Sequence, residues 1–411
     1  MSSADQAQLL IIADDLTGTA DSAVGCARAG LVTNVVLGAN GTEGAEAVAI
    51  DLDSRGCSAV EAAQRHRQAL QYWQGCFRFL YKKIDSTLRG NVAAEIASLA
   101  ATAGMAIVAP AYPATGRTTR RGRQYLNGTP VEETEVWINE GIKGRANLVE
   151  MLDGASLKTA LLDLVTLHGN DESVITALTT HLENGVQALV CDAESDADLA
   201  RLAMLSAGIN GIFWVGSAGL GEHLPTALGL AGTKAPPAPQ TTTPQTLIVI
   251  GSMSAVSHHQ AERLLESVET LALIDIGAAD LRPDTPRSSI KALEERLDAT
   301  LAAKHDLMVR LRQSDERNAA EGPALSLALA QLLGPRLASV DRLIATGGAT
   351  ARALLAAADI TELTLIDAPD TGMARLLAST DSGPLEVITK AGGFGDNNAF
   401  QRVWHSQRRN H

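Results

Sequence analysis

Residues able to do chemistry fall in three short runs where an apolar segment gives way to small and polar residues. In IIADDLTGTADSA (residues 11–23), adjacent carboxylates Asp14 and Asp15 precede Thr17, Gly18 and Asp21. In YKKIDSTLRGN (81–91), Lys83, Asp85 and Arg89 follow an apolar run, and IATGGATARALL (344–355) carries Gly347, Gly348, Ala349 and Thr350. In each run a β-rich stretch hands over to a helical period. Such a turn aims free N–H groups and a helix N-terminus at one point, which suits an anion. Two adjacent carboxylates at a strand end accept hydrogen bonds from a polyol or take a hydroxyl proton. The same residues have a plainer reading, in which one Asp is an N-cap and the other is exposed. The first two runs suit a small polar substrate and the third suits phosphate.

Further candidates share this setting. Arg55 closes a strand at IDLDSRG, as a solvated loop residue or as a planar fork for a carboxylate. Lys83 ends an apolar strand and is costly to bury without an anionic partner. Asp85 or Ser86 can cap the helix that follows, and Gly90 is expected to serve packing or access. Arg117, Arg120, Arg121 and Arg123 crowd into GRTTRRGRQYLNG (116–128). That segment reads either as a solvated loop or as a mobile flap over an anionic substrate. Beyond residue 246, GSMSAVSHHQ (251–260), TGGAT (346–350) and KAGGFGD (390–396) each join strand to helix. His258 and His259 read as surface or cap-adjacent residues, without partners at metal-ligand spacing. GxxxxGK[ST] is absent, and no GxGxxG follows the first strand, which argues against a P-loop and against a dinucleotide fingerprint.

The elements that must position these turns alternate strand and helix. LLIIAD, AEAVAIDLD, FRFLYKKID, MAIVAPAYP, ALVCDA and GIFWVG read as buried strands, with helical periods such as VEAAQRHRQALQYW and NVAAEIASLAATAG between them. TLIVIG, DLMVRLR, RLIATG and LEVITK repeat the grammar in the second half. This predicts an α/β chain with a mostly parallel sheet, flanked by helices, in each of two domains. At 411 residues the chain exceeds what one core usually holds. The Pro- and Thr-rich GTKAPPAPQTTTPQT (232–246) reads as the linker.

The formal charge of −13 and 3% aromatic content exclude a basic, base-stacking nucleic-acid surface. Cys26, Cys57, Cys76 and Cys191 form no CxxC pair and read as reduced, buried thiols. No apolar run reaches membrane-spanning length. MSSADQAQLLIIADD lacks a basic leader and is not read as a signal peptide, so the cytoplasm is the expected location.

The order and spacing of IADDLTGTAD, DLDSRG, KKIDSTLRGN, PAYPATGRTTRRGRQYLNGTPVEET, VGSAGL, VIGSMSAVSHHQ, ATGGATA and TKAGGFGD resemble the four-carbon acid sugar kinases over essentially the whole length. The resemblance implies a sugar-acid domain at 1–231, a linker at 232–246 and a nucleotide domain at 247–411, with the active site in the cleft between domains. It implies transfer of the γ-phosphoryl group of ATP, with Mg²⁺, to the terminal (C4) hydroxyl of a tetronate. D-threonate is the first expectation, with D-erythronate and the 3-oxo acid as alternatives. Asp14, Arg55, Lys83, Ile84, Asp85 and Ser86 should contact the substrate. Asp15 should orient or deprotonate the hydroxyl, with Asp14 and Asp85 as rivals, and Arg55 and Lys83 should pair with the substrate carboxylate. Ser252, Ser254, Gly347, Gly348, Ala349, Thr350, Gly392 and Gly393 should contact ATP.

Met253, Ala349 and Ala391 depart from the family turns GSCS, GGDT and Lys-Pro-Gly. The backbone donors survive, but a side-chain contact to metal or ribose at Ala349 is lost. The DDLTG-x-AD form is more like threonate and erythronate kinases than the DDFTGATD of 3-oxo-tetronate kinases. A homodimer is among the assembly states the sequence allows. A non-catalytic sensor of a sugar acid or nucleotide is the rival class.

Overall fold

The computed structural model describes residues 6–39, 41–232, 244–313 and 321–405. The chain divides into two compact units, Met1–Ala235 and Pro236–His411. The linker expected at 232–246 falls largely on residues 233–243, outside the described ones.

The first unit contains β1 (Ala7–Ala13), β2 (Thr33–Leu37), β3 (Ala47–Asp51), β4 (Phe77–Lys83) and β5 (Met105–Ala109). The short strands β6 (Arg117–Arg120), β7 (Arg123–Leu126) and β8 (Thr129–Pro130) follow, then β9 (Thr159–Leu162), β10 (Ala188–Cys191) and β11 (Ile212–Gly216). The main sheet runs β2-β3-β1-β4-β11-β5-β10-β9, and every printed pairing in it is parallel. Burial on both faces explains why β1 reads AQLLIIA without alternation. Helices Ala59–Tyr72 and Val92–Ala103 pack together on one face, over a core that includes Leu10, Ile12, Ile50, Leu80, Ile84, Ile96 and Leu99. Helices Leu16–Arg28 and Ala218–Ala227 also pack against each other. From β1 the chain goes to β2 and β3 on one side, then to β4 on the other. The carboxyl ends of β1, β3 and β4 therefore meet at a topological switch point, where α/β sheets bind ligands.

The Arg-rich segment is neither a solvated loop nor an unattached flap. It forms the antiparallel sheet β6-β7-β8. Its two tight turns hold positive φ at Arg121 and Gly122 and again at Asn127 and Gly128. These are hairpin turns of the type Asn-Gly favours.

The second unit contains β12 (Thr246–Ile250), β13 (Ala272–Ile276), β14 (Leu307–Leu311), β15 (Arg342–Thr346), β16 (Glu362–Asp367), β17 (Met373–Thr380) and β18 (Gly383–Lys390). Its order is β13-β14-β12-β15-β18-β17-β16. The pairings from β13 to β18 are parallel, whereas β17 is antiparallel to both β18 and β16. Here too the order reverses beside the first strand, between β12 and β15.

Candidate functional site

In the first unit, Asp14 and Asp15 leave the end of β1 in different directions. Asp15 is the N-cap of helix Leu16–Arg28, and Gly18 N donates to its Oδ1 at 2.9 Å. Asp14 is buried, not exposed. Arg55, at the end of β3, lays its guanidinium over both: Nε and Nη2 donate to Asp14 at 2.7 and 3.1 Å, and Nη1 to Asp15 at 2.5 Å. The fork expected on a substrate carboxylate is thus held by two carboxylates of the protein. Burial pushes the Asp14 carboxyl up, but Arg55, Lys82 and Lys83 together pull it down, to about 2.

Lys83 closes β4 on the side of helix Leu16–Arg28. A Cβ on Gly18 would lie 2.8 Å from its Nζ and 2.5 Å from Asp15 Oδ1. The Lys83 side chain is buried. Its ammonium makes no hydrogen bond or ion pair among the described residues. Asp21, one turn along the helix, was passed over as a candidate. Burial raises its carboxyl to about 6, against the pull of Lys83. Only its titration environment, invisible in a single sequence, distinguishes it.

Asp85 is more fully engaged than a base should be. Arg89 grips it through Nε and Nη2, both at 2.9 Å, and the Thr87 hydroxyl and backbone N–H also donate to it. Despite burial, Arg89 holds its carboxyl well below the usual range. The Ile84 side chain sits in the core and its N–H goes to the Gly216 carbonyl at 2.8 Å. Ser86 is buried, and its carbonyl accepts from Gln124 of β7 at 2.7 Å. Trp137 donates to the Thr87 carbonyl at 2.7 Å. The hairpin is therefore a fixed wall of this turn. Its Arg120 and Arg123 pair with Glu194 and Glu132.

In the second unit three turns converge. Ser252, after β12, receives a hydrogen bond on Oγ from Ser254 N at 3.2 Å, and its own N–H donates to Thr346 at 3.3 Å. A Cβ on Gly347 would lie 3.5 Å from Ser252 N, and one on Gly392 would lie 2.2 Å from Ser252 Oγ. Ser254, Gly347 and Gly392 thus gather around Ser252, while Gly348, Ala349 and Gly393 follow in the same turns. Helices Ala255–Ser267 and Gly348–Ala357 start at Ser254 and Gly347, and neither has a side-chain cap. Uncapped helix starts of this kind suit an anion. Thr350 is buried, with its hydroxyl beside Ser326 at 3.2 Å, so it can offer a ligand only backbone.

His258 is cap-adjacent and buried, and its Nε2 donates to the Ser252 carbonyl at 3.0 Å, steadying the first turn. The expectation of buried thiols holds for two of the four cysteines. Cys57 and Cys76 are partly exposed, while Cys26 and Cys191 are buried and all four are free thiols. Among the described residues, no cluster of three His, Cys, Asp or Glu could hold a metal, and no helix is long and apolar enough to cross a membrane.

Residues 9–224 match the family described as "Sugar-binding N-terminal domain" and residues 247–400 the one described as "Nucleotide-binding C-terminal domain". The chain is 42% identical over 407 residues to a D-threonate kinase of Cupriavidus necator, covering 97% of each chain. The chain belongs to the four-carbon acid sugar kinase family. A D-threonate kinase of Salmonella typhimurium is 29% identical, with 96% of each chain covered. A 3-oxo-tetronate kinase of Methylobacterium radiotolerans is also 29% identical, covering 95% of this chain and 97% of its own. The fold matches a crystal structure from Salmonella typhimurium LT2 with a TM-score of 0.81 at 22% identity, over 97% of this chain and 99% of that one. Membership in this kinase family makes the chain an enzyme that uses ATP and a small sugar acid.

Proposed function

We propose that the protein transfers the γ-phosphoryl group of ATP to the C4 hydroxyl of D-threonate. Full-length similarity to the D-threonate kinase of Cupriavidus necator carries the choice of substrate. The first unit offers what a sugar acid needs: the Lys83 ammonium for its carboxylate and Asp15 as acceptor for a hydroxyl. Asp15 is favoured over Asp14 because 19% of its side chain is exposed against 2%. Asp85 is fully engaged by Arg89 and Thr87, so it serves to shape the turn. Arg55 acts by aligning the two aspartates.

The second unit suits a nucleotide through backbone donors, with the uncapped starts at Ser254 and Gly347 receiving phosphate oxygens. Phosphoryl transfer asks for positioning and charge stabilisation more than covalent help. With no cluster of three His, Cys, Asp or Glu among the described residues, Mg²⁺ would bind chiefly through the ATP phosphates and neutralise them there. ATP use agrees with action in the cytoplasm.

The test is a kinase screen over D- and L-threonate, D- and L-erythronate, the 3-oxo acid and threitol. D-threonate should give the highest kcat/KM and threitol almost none. Equal turnover of threitol and threonate would remove the carboxylate clamp and the substrate class with it.

A further inference from the structure

Beneath the sugar-acid site lies a buried polar network that the phosphoryl transfer does not use. Lys82 and Lys83 are adjacent in β4 and so point to opposite faces. Lys82 shares the face of Leu80 and Ile84, toward helices Ala59–Tyr72 and Val92–Ala103. There its Nζ pairs with Glu95 Oε2 at 2.9 Å and donates to the Lys83 carbonyl at 2.6 Å. Glu95 Oε1 accepts from Ser54 Oγ at 2.9 Å. Ser54 in turn donates its N–H to the Asp14 carbonyl at 3.0 Å, and Arg55 N does the same at 3.3 Å. Lys82, Glu95 and Ser54 are all at most 1% exposed.

His66 completes the cluster. Its Nδ1 donates to the Ala62 carbonyl at 2.8 Å, which leaves the Nε2 lone pair facing Glu95 Oε2 at 3.6 Å. Burial, with Lys82 beside it, lowers the imidazole to about 4, so it stays neutral and does not compete for the carboxylate.

A buried ion pair is poor evidence for stability, since apolar residues of similar volume do as well or better. Its retention here needs another explanation, and the connectivity supplies one. We propose that Glu95 is a positioning residue for the sugar-acid site: its carboxylate ties the end of β3, through Ser54, to the end of β4, through Lys82, and so fixes the Asp14–Arg55 pair relative to Lys83. The proposal rests on the reading of this site as the sugar-acid site.

The decisive variant is the double substitution Lys82→Met/Glu95→Met, which removes the pair without leaving an unpaired buried charge. Thermal melts should show a folded protein. Its kcat/KM for D-threonate should fall by on the order of ten- to a hundredfold, as a misplacement of about 1 Å can cause. Its KM for ATP should stay within about twofold, as expected when only the sugar-acid site is disturbed. A folded double variant with wild-type kcat/KM overturns the proposal. If it does not fold, Ser54→Ala removes one hydroxyl from the same chain of contacts, and wild-type kinetics in that variant overturn it equally. The Arg55 Nε–H resonance gives a readout that needs no substrate, because it reports the fork on Asp14. It should shift in either folded variant, and an unmoved resonance counts against the network. Absence of tetronate turnover by the wild-type enzyme would instead defeat the substrate reading, and the resonance would still decide the network.

Discussion

Gly90 stands over Asp14: a Cβ built on Gly90 would lie 3.0 Å from Asp14 Oδ2. Gly90 also holds φ at +87°, a region that disfavours any side chain. Gly90→Ala should therefore cost about 1–2 kcal/mol in stability from the left-handed backbone. It should also displace the Asp14 carboxylate. Calorimetric melting and steady-state kinetics check both parts. Kinetics identical to wild type would mean that the carboxylate has room to move without consequence.

The Arg55 fork makes a prediction about acid. Burial alone would raise the Asp14 carboxyl, yet Arg55, Lys82 and Lys83 bring it from 3.8 to about 2. A folded-state value below the unfolded one means that the ionised carboxylate contributes stability above the unfolded value, and that this contribution is lost as pH falls toward about 2. Arg55→Met removes the strongest attraction on the carboxylate, so the carboxyl should rise toward and past its ordinary value. The acid-induced loss of stability below about pH 4 should then shrink in the variant, or change sign if the folded value passes the unfolded one, while the acid limb of its activity should move to higher pH. Parallel melting curves for the two proteins from about pH 3 to about pH 7 would rule out this role.

Asp15→Asn separates charge from capping. Asn caps a helix as well as Asp does, so Leu16–Arg28 should remain intact. Turnover should drop by at least about a hundredfold if the carboxylate orients or accepts the hydroxyl proton, with ATP binding preserved. Near-normal turnover would shift attention to Asp14.

Gly347→Val addresses the nucleotide. Its φ of +89° is forbidden to a β-branched residue, and the backbone there opens helix Gly348–Ala357. ATP affinity should fall by at least about tenfold, the worth of one charged hydrogen bond at ~1.5 kcal/mol. Sugar-acid binding should be spared. Titration calorimetry on a folded variant measures both, and unchanged ATP affinity would refute the phosphate role of this turn.

The strand-to-helix turns were legible because each is local: an apolar run, a polar break and a resumed helical period lie within about a dozen residues. That is why Asp14, Lys83, Ser252 and Gly347 could be singled out. What the sequence hid was partnership across distance. Arg55 meets Asp14 only because β1 and β3 are neighbours in the sheet, and nothing in DLDSRG says that its fork will turn inward. The Lys82–Glu95 pair joins a strand to a helix whose pattern, VAAEIASLAATA, looks like ordinary core with one surface acid. The β6–β7 hairpin was misjudged for a different reason. Its Arg-Gly and Asn-Gly turns are hairpin signals, but the four arginines around them read equally well as a solvated or anion-binding loop. The antiparallel β16–β17–β18 meander lies within the mostly parallel sheet expected, but β16 and β17 carry no break of the strand-to-helix kind that marks the other strands.

The pleat of β4 makes this strand behave like a reading frame. Its side chains alternate between faces, so the two lysines are told apart only by odd and even position. In the function proposed above, one lysine serves the ligand while the other braces the scaffold. A one-residue insertion or deletion upstream in the strand would shift the phase, turning Lys82 toward helix Leu16–Arg28 and carrying Lys83 to the face of Glu95. Conservative point changes along β4 should consequently be tolerated far better than any change of length, although the chemistry of every residue would be preserved in the latter case. For anyone recombining such kinases, crossovers within β4 must therefore be made in phase, even between parents whose flanking turns are identical.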